Sequence, residues 1–126
     1  MDISMSEGNS NPLALIVEDD PDAAAIFSEA LKAAGFEVEI IWAGDKALER
    51  LTVTTPAVVV LDMHLPHVAG PDILHYIRAD ARLAETRVII ATADPSMADA
   101  INEEVTLILL KPISFSQLRD MAKRLR

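Results

Sequence analysis

From Leu13 onward, short apolar runs alternate with segments whose apolar residues recur at helical spacing. Leu13–Val17 is apolar throughout and ends in Glu18-Asp19-Asp20; a run without a polar face predicts a strand buried on both sides. Pro21 stands where a first helical turn accepts a residue lacking an N–H, with Asp20 placed as N-cap. Ile26, Phe27, Ala30, Leu31 and Ala34 follow at helical spacing, and Gly35 marks the stop. Glu37–Trp42 reads as a second strand and Asp45–Leu51 as a short helix. Ala57–Leu61, again apolar on both faces, reads as a third strand ending in Asp62. Pro71–Ala79 carries Ile73, Leu74 and Ile77 on a helix, and Val88–Ala91 is a fourth strand ending at Thr92. Pro95–Asn102 predicts a short, weak helix, and Val105–Leu110 a fifth strand ending at Lys111-Pro112. The last helix opens with a capping box, Ser114 with Gln117, and its apolar stripe is Phe115, Leu118, Met121, Ala122 and Leu125.

Five strands and five helices in strict alternation predict an α/β domain: a parallel sheet with right-handed crossovers and helices on both faces. The flavodoxin-like strand order 2-1-3-4-5 is one common solution, and such sheets bind ligands at the carboxyl ends of their strands. The 126 residues suit a single domain. Residues 1–12, polar and rich in Ser and Asn, are expected to form a flexible leader, and residues 13–126 the folded domain.

A net charge of −9 argues against a nucleic-acid-binding module and against docking on anionic membranes. Cysteine is absent, which removes disulfides, thiolate metal sites and a Cys nucleophile. No apolar run approaches membrane-spanning length, and the N-terminus carries no signal-peptide pattern. A cytoplasmic location is the resulting expectation.

The predicted strand ends deliver Glu18 and Asp19 from the first strand, Asp62 from the third, Thr92 from the fourth and Lys111 from the fifth. If the first and third strands are neighbours, three carboxylates converge. Converging carboxylates repel one another, and a cation among them relieves this. Hard oxygen donors without a His or Cys ligand motif suit Mg²⁺ or Mn²⁺, which keeps waters and accepts a phosphate oxygen. Lys111 and the Thr92 hydroxyl would complete an oxyanion cradle, and a carboxylate so flanked has the makings of a phosphoryl acceptor.

At this point the chain resembles the receiver domain of two-component response regulators. The matching motifs are Leu15-Ile16-Val17-Glu18-Asp19-Asp20, Val60-Leu61-Asp62-Met63-His64-Leu65-Pro66, Ile90-Ala91-Thr92-Ala93 and Leu110-Lys111-Pro112. Each is weak alone; all four occur in order at predicted strand ends. The resemblance implies that Asp62 is the phosphoacceptor, fed by a sensor histidine kinase or phosphotransfer protein in a Mg²⁺-dependent reaction. It implies that Asp19 ligates the metal directly, that Glu18 reaches it through water, and that His64 offers its backbone carbonyl. Thr92 and Lys111 would bind the phosphoryl group, and Pro112 resembles the family's cis-proline. The switched surface would be the fourth helix, fifth strand and fifth helix, through which family members can also dimerise. Such a domain signals to a downstream protein; it is not a turnover enzyme, and catalyses only its own phosphorylation and dephosphorylation. His64 and Asp94 match positions facing the attacking water.

Three positions depart from the family pattern. Ile108 stands where an aromatic residue usually acts as switch partner to the threonine. The 19 residues from Thr92 to Lys111 form a short span, with Asn102-Glu103-Glu104 in place of the usual Gly-Ala segment, which predicts a short or loose fourth helix. Ala69 replaces a common acidic residue before Gly70.

Each signal has a plainer reading. Acids favour helix N-termini, and Asp20 is read as that alone. Thr92 by itself is a strand-end residue, and Lys111 an exposed lysine before a turn. His64 and His67 lie in a loop and His75 on the outer side of a helix, with no zinc-ligand spacing. Ile101 and Ile108 fit either core or an apolar output patch; Leu110 is expected in the core, and Trp42 is expected to pack. The functional alternatives are a receiver-like docking module that signals without phosphorylation and an aspartyl-nucleophile phosphatase of the haloacid dehalogenase type. The latter wants a second Asp where His64 stands. A flavodoxin-like cofactor binder would need a phosphate loop where Glu18-Asp19-Asp20 stand. The initial Met and the leader favour a stand-alone receiver.

Overall fold

The computed structural model describes residues 11–96 and 105–126. The elements are β1 (Leu13–Val17), α1 (Pro21–Ala33), β2 (Glu37–Ile41), α2 (Gly44–Leu51), β3 (Val58–Asp62), α3 (Gly70–Ala79), a 3₁₀ turn (Ala81–Leu83), β4 (Arg87–Thr92), β5 (Leu107–Leu110) and α4 (Phe115–Arg124). α4 is the fifth helix of the alternation predicted from sequence. The predicted helix at Pro95–Asn102 and Ile101 fall largely or wholly outside the described residues, as do residues 1–10 of the expected leader. Asn11 and Pro12, assigned to that leader, are tied down: Asn11 Oδ1 accepts from Arg126 Nη2 (3.1 Å) and Pro12 O accepts from Glu37 N–H (2.9 Å).

All strand pairs are parallel, in the order β2-β1-β3-β4-β5. The apolar strands follow from this order. β1 and β3 lie inside the sheet with helices on both faces, so neither face faces water. Alternate residues serve two cores. Ala14 and Ile16 of β1 join Phe27, Ala30 and Leu31 of α1 and Leu118 and Ala122 of α4. Leu15 and Val17 join Ala47 and Leu51 of α2 and Ile73, Leu74 and Ile77 of α3. These side chains are essentially inaccessible to water, and each large one contributes about 1.5–3 kcal/mol of transfer free energy.

Local signals set the helix ends. The Asp20 carboxylate accepts from Asp22 N–H (3.3 Å) and Pro21 opens α1. Ser114 Oγ accepts from Gln117 N–H (3.1 Å) at the start of α4. Gly35, at φ 99°, turns the chain from α1 into β2.

Several apolar assignments need correction. Leu110, expected in the core, is 48% exposed, because alternation along the edge strand β5 turns Leu109 toward the α1/α4 core and leaves Leu110 at the strand's end. Trp42, expected to pack, is 50% exposed, since β2 ends at Ile41, which takes the inward place. Phe115 of the α4 stripe and Ile26 of the α1 stripe are exposed, each at the margin of its helix's buried face. Arg119 lies 5.3 Å above the Phe115 ring. Ile108 is half-buried against the α2/α3 core, and His75 is exposed as expected.

At the sheet's amino edge, Arg82 binds the chain leaving α2. Its guanidinium donates to Thr54 O (2.7 Å), Thr55 Oγ1 (2.9 Å) and Leu51 O, and pairs with Asp80 (3.3 Å). Two of these acceptors are backbone carbonyls, of Leu51 at the end of α2 and of Thr54 beyond it, where intrahelical donors run out. Arg82→Ala is expected to lower the unfolding free energy by about 1–2 kcal/mol, read by urea denaturation, without changing the circular dichroism spectrum. No loss of stability would show that water replaces the guanidinium at no cost.

Candidate functional site

The strand order makes β1 and β3 neighbours, with Val17 opposite Leu61. The next residues of each chain therefore emerge side by side at the carboxyl edge. Carboxylate oxygens of Glu18, Asp19 and Asp62 all lie within 4.8 Å of one another. Glu18 and Asp62 are buried, at 1% and 5% exposure, whereas Asp19 is exposed. Burial follows from position: Glu18 continues β1 between its two neighbours, and its N–H still donates to Ile41 O of β2 (3.0 Å).

Lys111 answers the two buried acids. Its Nζ lies 2.8 Å from Glu18 Oε1 and 3.5 Å from Asp62 Oδ1. The Lys111 N–H donates to Thr92 O (2.8 Å), and the Lys111–Pro112 peptide is cis. Glu18 Oε2 also accepts from Asp20 N–H (3.1 Å), and Asp62 Oδ1 from His64 N–H (3.3 Å). Thr92 is fully buried at the end of β4, one residue beyond the Asp62–Ala91 pairing, and its Oγ1 accepts from Asp94 N–H (3.1 Å).

The electrostatics follow from burial and charge. Burial pushes the Glu18 carboxyl above the usual carboxylate range; Lys111 and the Asp20 N–H pull it back, and the Asp62 charge pushes it further up. Burial acts to lower the Lys111 ammonium, but Glu18 and Asp62 together hold it above its ordinary value. Asp94 is held low mainly by the Ser96 hydroxyl and N–H, at 2.7 and 3.0 Å from Oδ1, with the His64 charge acting in the same sense.

The residues singled out from the sequence thus meet at one place: Glu18, Asp19, Asp62, Thr92 and Lys111, with His64 exposed beside them. Ile108 stands apart, half-buried in β5. Two contributions were not read from the sequence. Asp20 caps α1 and also turns its N–H to Glu18, a bond that depends on the path of the chain and has no sequence signature. Ser96 fixes Asp94 in an Asx-type turn, which the order Asp94-Pro95-Ser96 could have signalled. The donor set fits a hard divalent cation: three carboxylates, no thiolate or zinc-type ligand set, and one exposed side leaving room for water.

The response regulator receiver domain family model matches residues 14–123. The transcriptional regulatory protein PrrA of Mycobacterium leprae is 31% identical over 124 residues, covering 96% of this chain and 52% of that protein. The sensor histidine kinase TmoS of Ectopseudomonas mendocina is 28% identical over 120 residues, covering 93% of this chain and 12% of that protein. This chain therefore spans about half of the first relative's length and about an eighth of the second's. A solved CheY-like receiver domain from Methylobacillus flagellatus superposes with a TM-score of 0.82 at 25% identity, over 93% of this chain and all of that one.

Lys111→Met leaves Glu18 and Asp62 without their cation. In the presence of EDTA at neutral pH, the variant is expected to lose about 2 kcal/mol of stability to urea. Ionised Glu18, with its pKa raised in the folded state, opposes folding, and that cost fades as pH falls from the raised folded-state value to the ordinary carboxylate value. The deficit should therefore shrink toward acid pH. A deficit independent of pH would mean that Lys111 contributes by packing rather than by charge.

Proposed function

The chain belongs to the response regulator receiver family, and from that premise we propose that Asp62 accepts a phosphoryl group and that the domain switches in response. Receiver domains pair with sensor histidine kinases and serve as signalling modules rather than turnover enzymes. The observation that carries the reading is the meeting of Glu18, Asp19 and Asp62 within 4.8 Å, with Lys111 2.8 Å from Glu18 and 3.5 Å from Asp62. The donor is a phosphohistidine on a kinase or phosphotransfer protein.

In the transfer, an Asp62 carboxylate oxygen attacks the phosphorus. A P–O bond forms to Asp62 as the P–N bond of the phosphohistidine breaks, and the electron pair leaves on the imidazole nitrogen. Glu18, Asp19, Asp62 and the His64 carbonyl would hold a Mg²⁺ or Mn²⁺ ion, which supplies charge neutralisation at the phosphoryl oxygens. Lys111 is a long, flexible cation between two acids and supplies the second positive charge at the phosphoryl group. The Thr92 hydroxyl, buried at the end of β4, supplies a neutral donor. The N–H of His64, already directed at Asp62 Oδ1, orients the acceptor. Asp94 and His64 match the family positions that face the attacking water, and would set the lifetime of the acyl phosphate.

The output is a protein–protein surface that includes β5 and α4, where Leu110 and Phe115 remain exposed. Ile108 has no ring to swing in or out, so coupling runs through repacking of Thr92 and β5 rather than through an aromatic rotamer. Among the described residues, no helix is long and apolar enough to cross a membrane.

Incubation with MgCl₂ and acetyl phosphate is expected to add one phosphoryl mass, about 80 Da, to the intact protein, labile to hydroxylamine. Asp62→Asn or an excess of EDTA should abolish the gain. No gain in the wild type with acetyl phosphate or with a panel of phosphorylated kinases would overturn the reading, and would favour a docking module that works unphosphorylated.

A further inference from the structure

The loop from β3 to α3, residues 63–69, carries the His64 N–H that donates to Asp62 Oδ1 (3.3 Å) and the His64 carbonyl proposed above as a metal ligand. The loop is anchored at Met63, which is buried, and at Leu65 and Val68, which pack half-buried against the α2/α3 core, while His64, Pro66, His67 and Ala69 are exposed, and His67 takes φ 72°. Its own backbone bonds are Val68 N–H to Pro66 O (2.8 Å) and Gly70 N–H to Met63 O (3.2 Å).

A second element grips it. α2 begins at Gly44 with no side-chain cap from Ala43, so its first N–H groups need outside acceptors. Gly44 N–H donates to Pro66 O (3.3 Å). The approach is so close that a Cβ on Gly44 would lie 2.1 Å from Val68 O and 2.9 Å from the Val68 carbonyl carbon and Cβ. At the loop's far end, a Cβ on Gly70 would lie 2.6 Å from Met63 Cα and 2.7 Å from Asp62 O. Most of these contacts are to backbone, which cannot swing aside as a side-chain end can. Val68 also packs its side chain against the α2/α3 core.

We infer that Gly44 is a positioning residue for the Asp62 site: through Pro66 and Val68 it sets the path of the loop that aims His64. This rests on the reading of Asp62 as phosphoacceptor with a divalent cation beside it. Gly44 opens α2, whereas the site residues stand at the carboxyl ends of β1, β3, β4 and β5 and in the β3–α3 loop, and its close contacts are with Pro66 and Val68 of that loop, so it acts on the site through the loop. A methyl group there must push the Val68 carbonyl away and drag the His64 groups with it.

The test is an NMR titration of the ¹⁵N-labelled full chain with MgCl₂. In the wild type, the Gly44 amide is expected to shift with the same midpoint as the His64 amide, while Gly35, at the opposite edge of the sheet, stays still. Gly44→Ala is expected to keep its circular dichroism spectrum and to bind Mg²⁺ roughly tenfold more weakly, the low end of the cost of losing an outer support at a metal site. Lys46→Ala, an exposed change on the same helix, should keep the wild-type midpoint. A purely structural glycine would lower the melting temperature and leave the midpoint unmoved; that result in a folded Gly44→Ala overturns the inference. So does a silent Gly44 amide in the wild type while His64 titrates, which decides the question even if Gly44→Ala does not fold. A wild type in which neither Asp62 nor His64 responds to MgCl₂ removes the cation-assisted reading itself, and the positioning role with it.

Discussion

The burial of Glu18 and Asp62 against a single lysine is the constraint around which this molecule is arranged. Two carboxylates out of water repel each other, and burial pushes the Glu18 carboxyl above the usual carboxylate range. Lys111 relieves the repulsion from the end of the last strand, reaching past the ends of β4 and β3 to Glu18. Its main chain is held by Thr92 O, so the residue at the end of β4 also fixes where the lysine starts. One exposed acid, Asp19, leaves the cluster open to solvent on one side. A site built this way sets three carboxylates against one lysine, a balance that a divalent cation would neutralise.

That arrangement needs the sheet to be assembled in one particular order. β1 and β3 are far apart in sequence, and only their direct pairing brings Glu18 beside Asp62. The pairing is enforced by hydrophobic burial. Both strands are apolar on both faces and lose water only in the middle of a sheet covered by helices. The charged site is thus a by-product of the apolar strands: the strands stop where polar residues begin, and they stop side by side. Loops at this edge then carry the finer adjustments, such as the Asp20 N–H on Glu18 and the His64 N–H on Asp62.

The apolar surface on β5 and α4 shows where periodicity alone misleads. Leu110, Phe115 and Ile26 all obey an apolar pattern and are all exposed. A helix or edge strand buries only the part of its stripe that another element covers, and a stripe has margins. Trp42 fails for a related reason. The second strand is an edge strand that ends at Ile41, so the indole one residue on has no second layer to enter.

Most of the fold was legible because local rules set it. Alternating buried runs and amphipathic segments imply a parallel sheet; Asp20-Pro21, Gly35 and Ser114 mark helix ends by backbone chemistry confined to a few neighbouring residues. That Glu18, Asp19, Asp62, Thr92 and Lys111 would meet at one edge was legible too, since each stands at the end of an apolar run. Their separations, their burial and the choice of Glu18 over Asp62 as the closer partner of Lys111 were decided only in three dimensions, because they depend on which strands pair and how far a lysine must stretch. Gly44 belongs wholly to that second category: its close approach to Val68 joins segments whose sequences say nothing about each other, and only the packing of α2 against the β3–α3 loop makes a missing side chain matter.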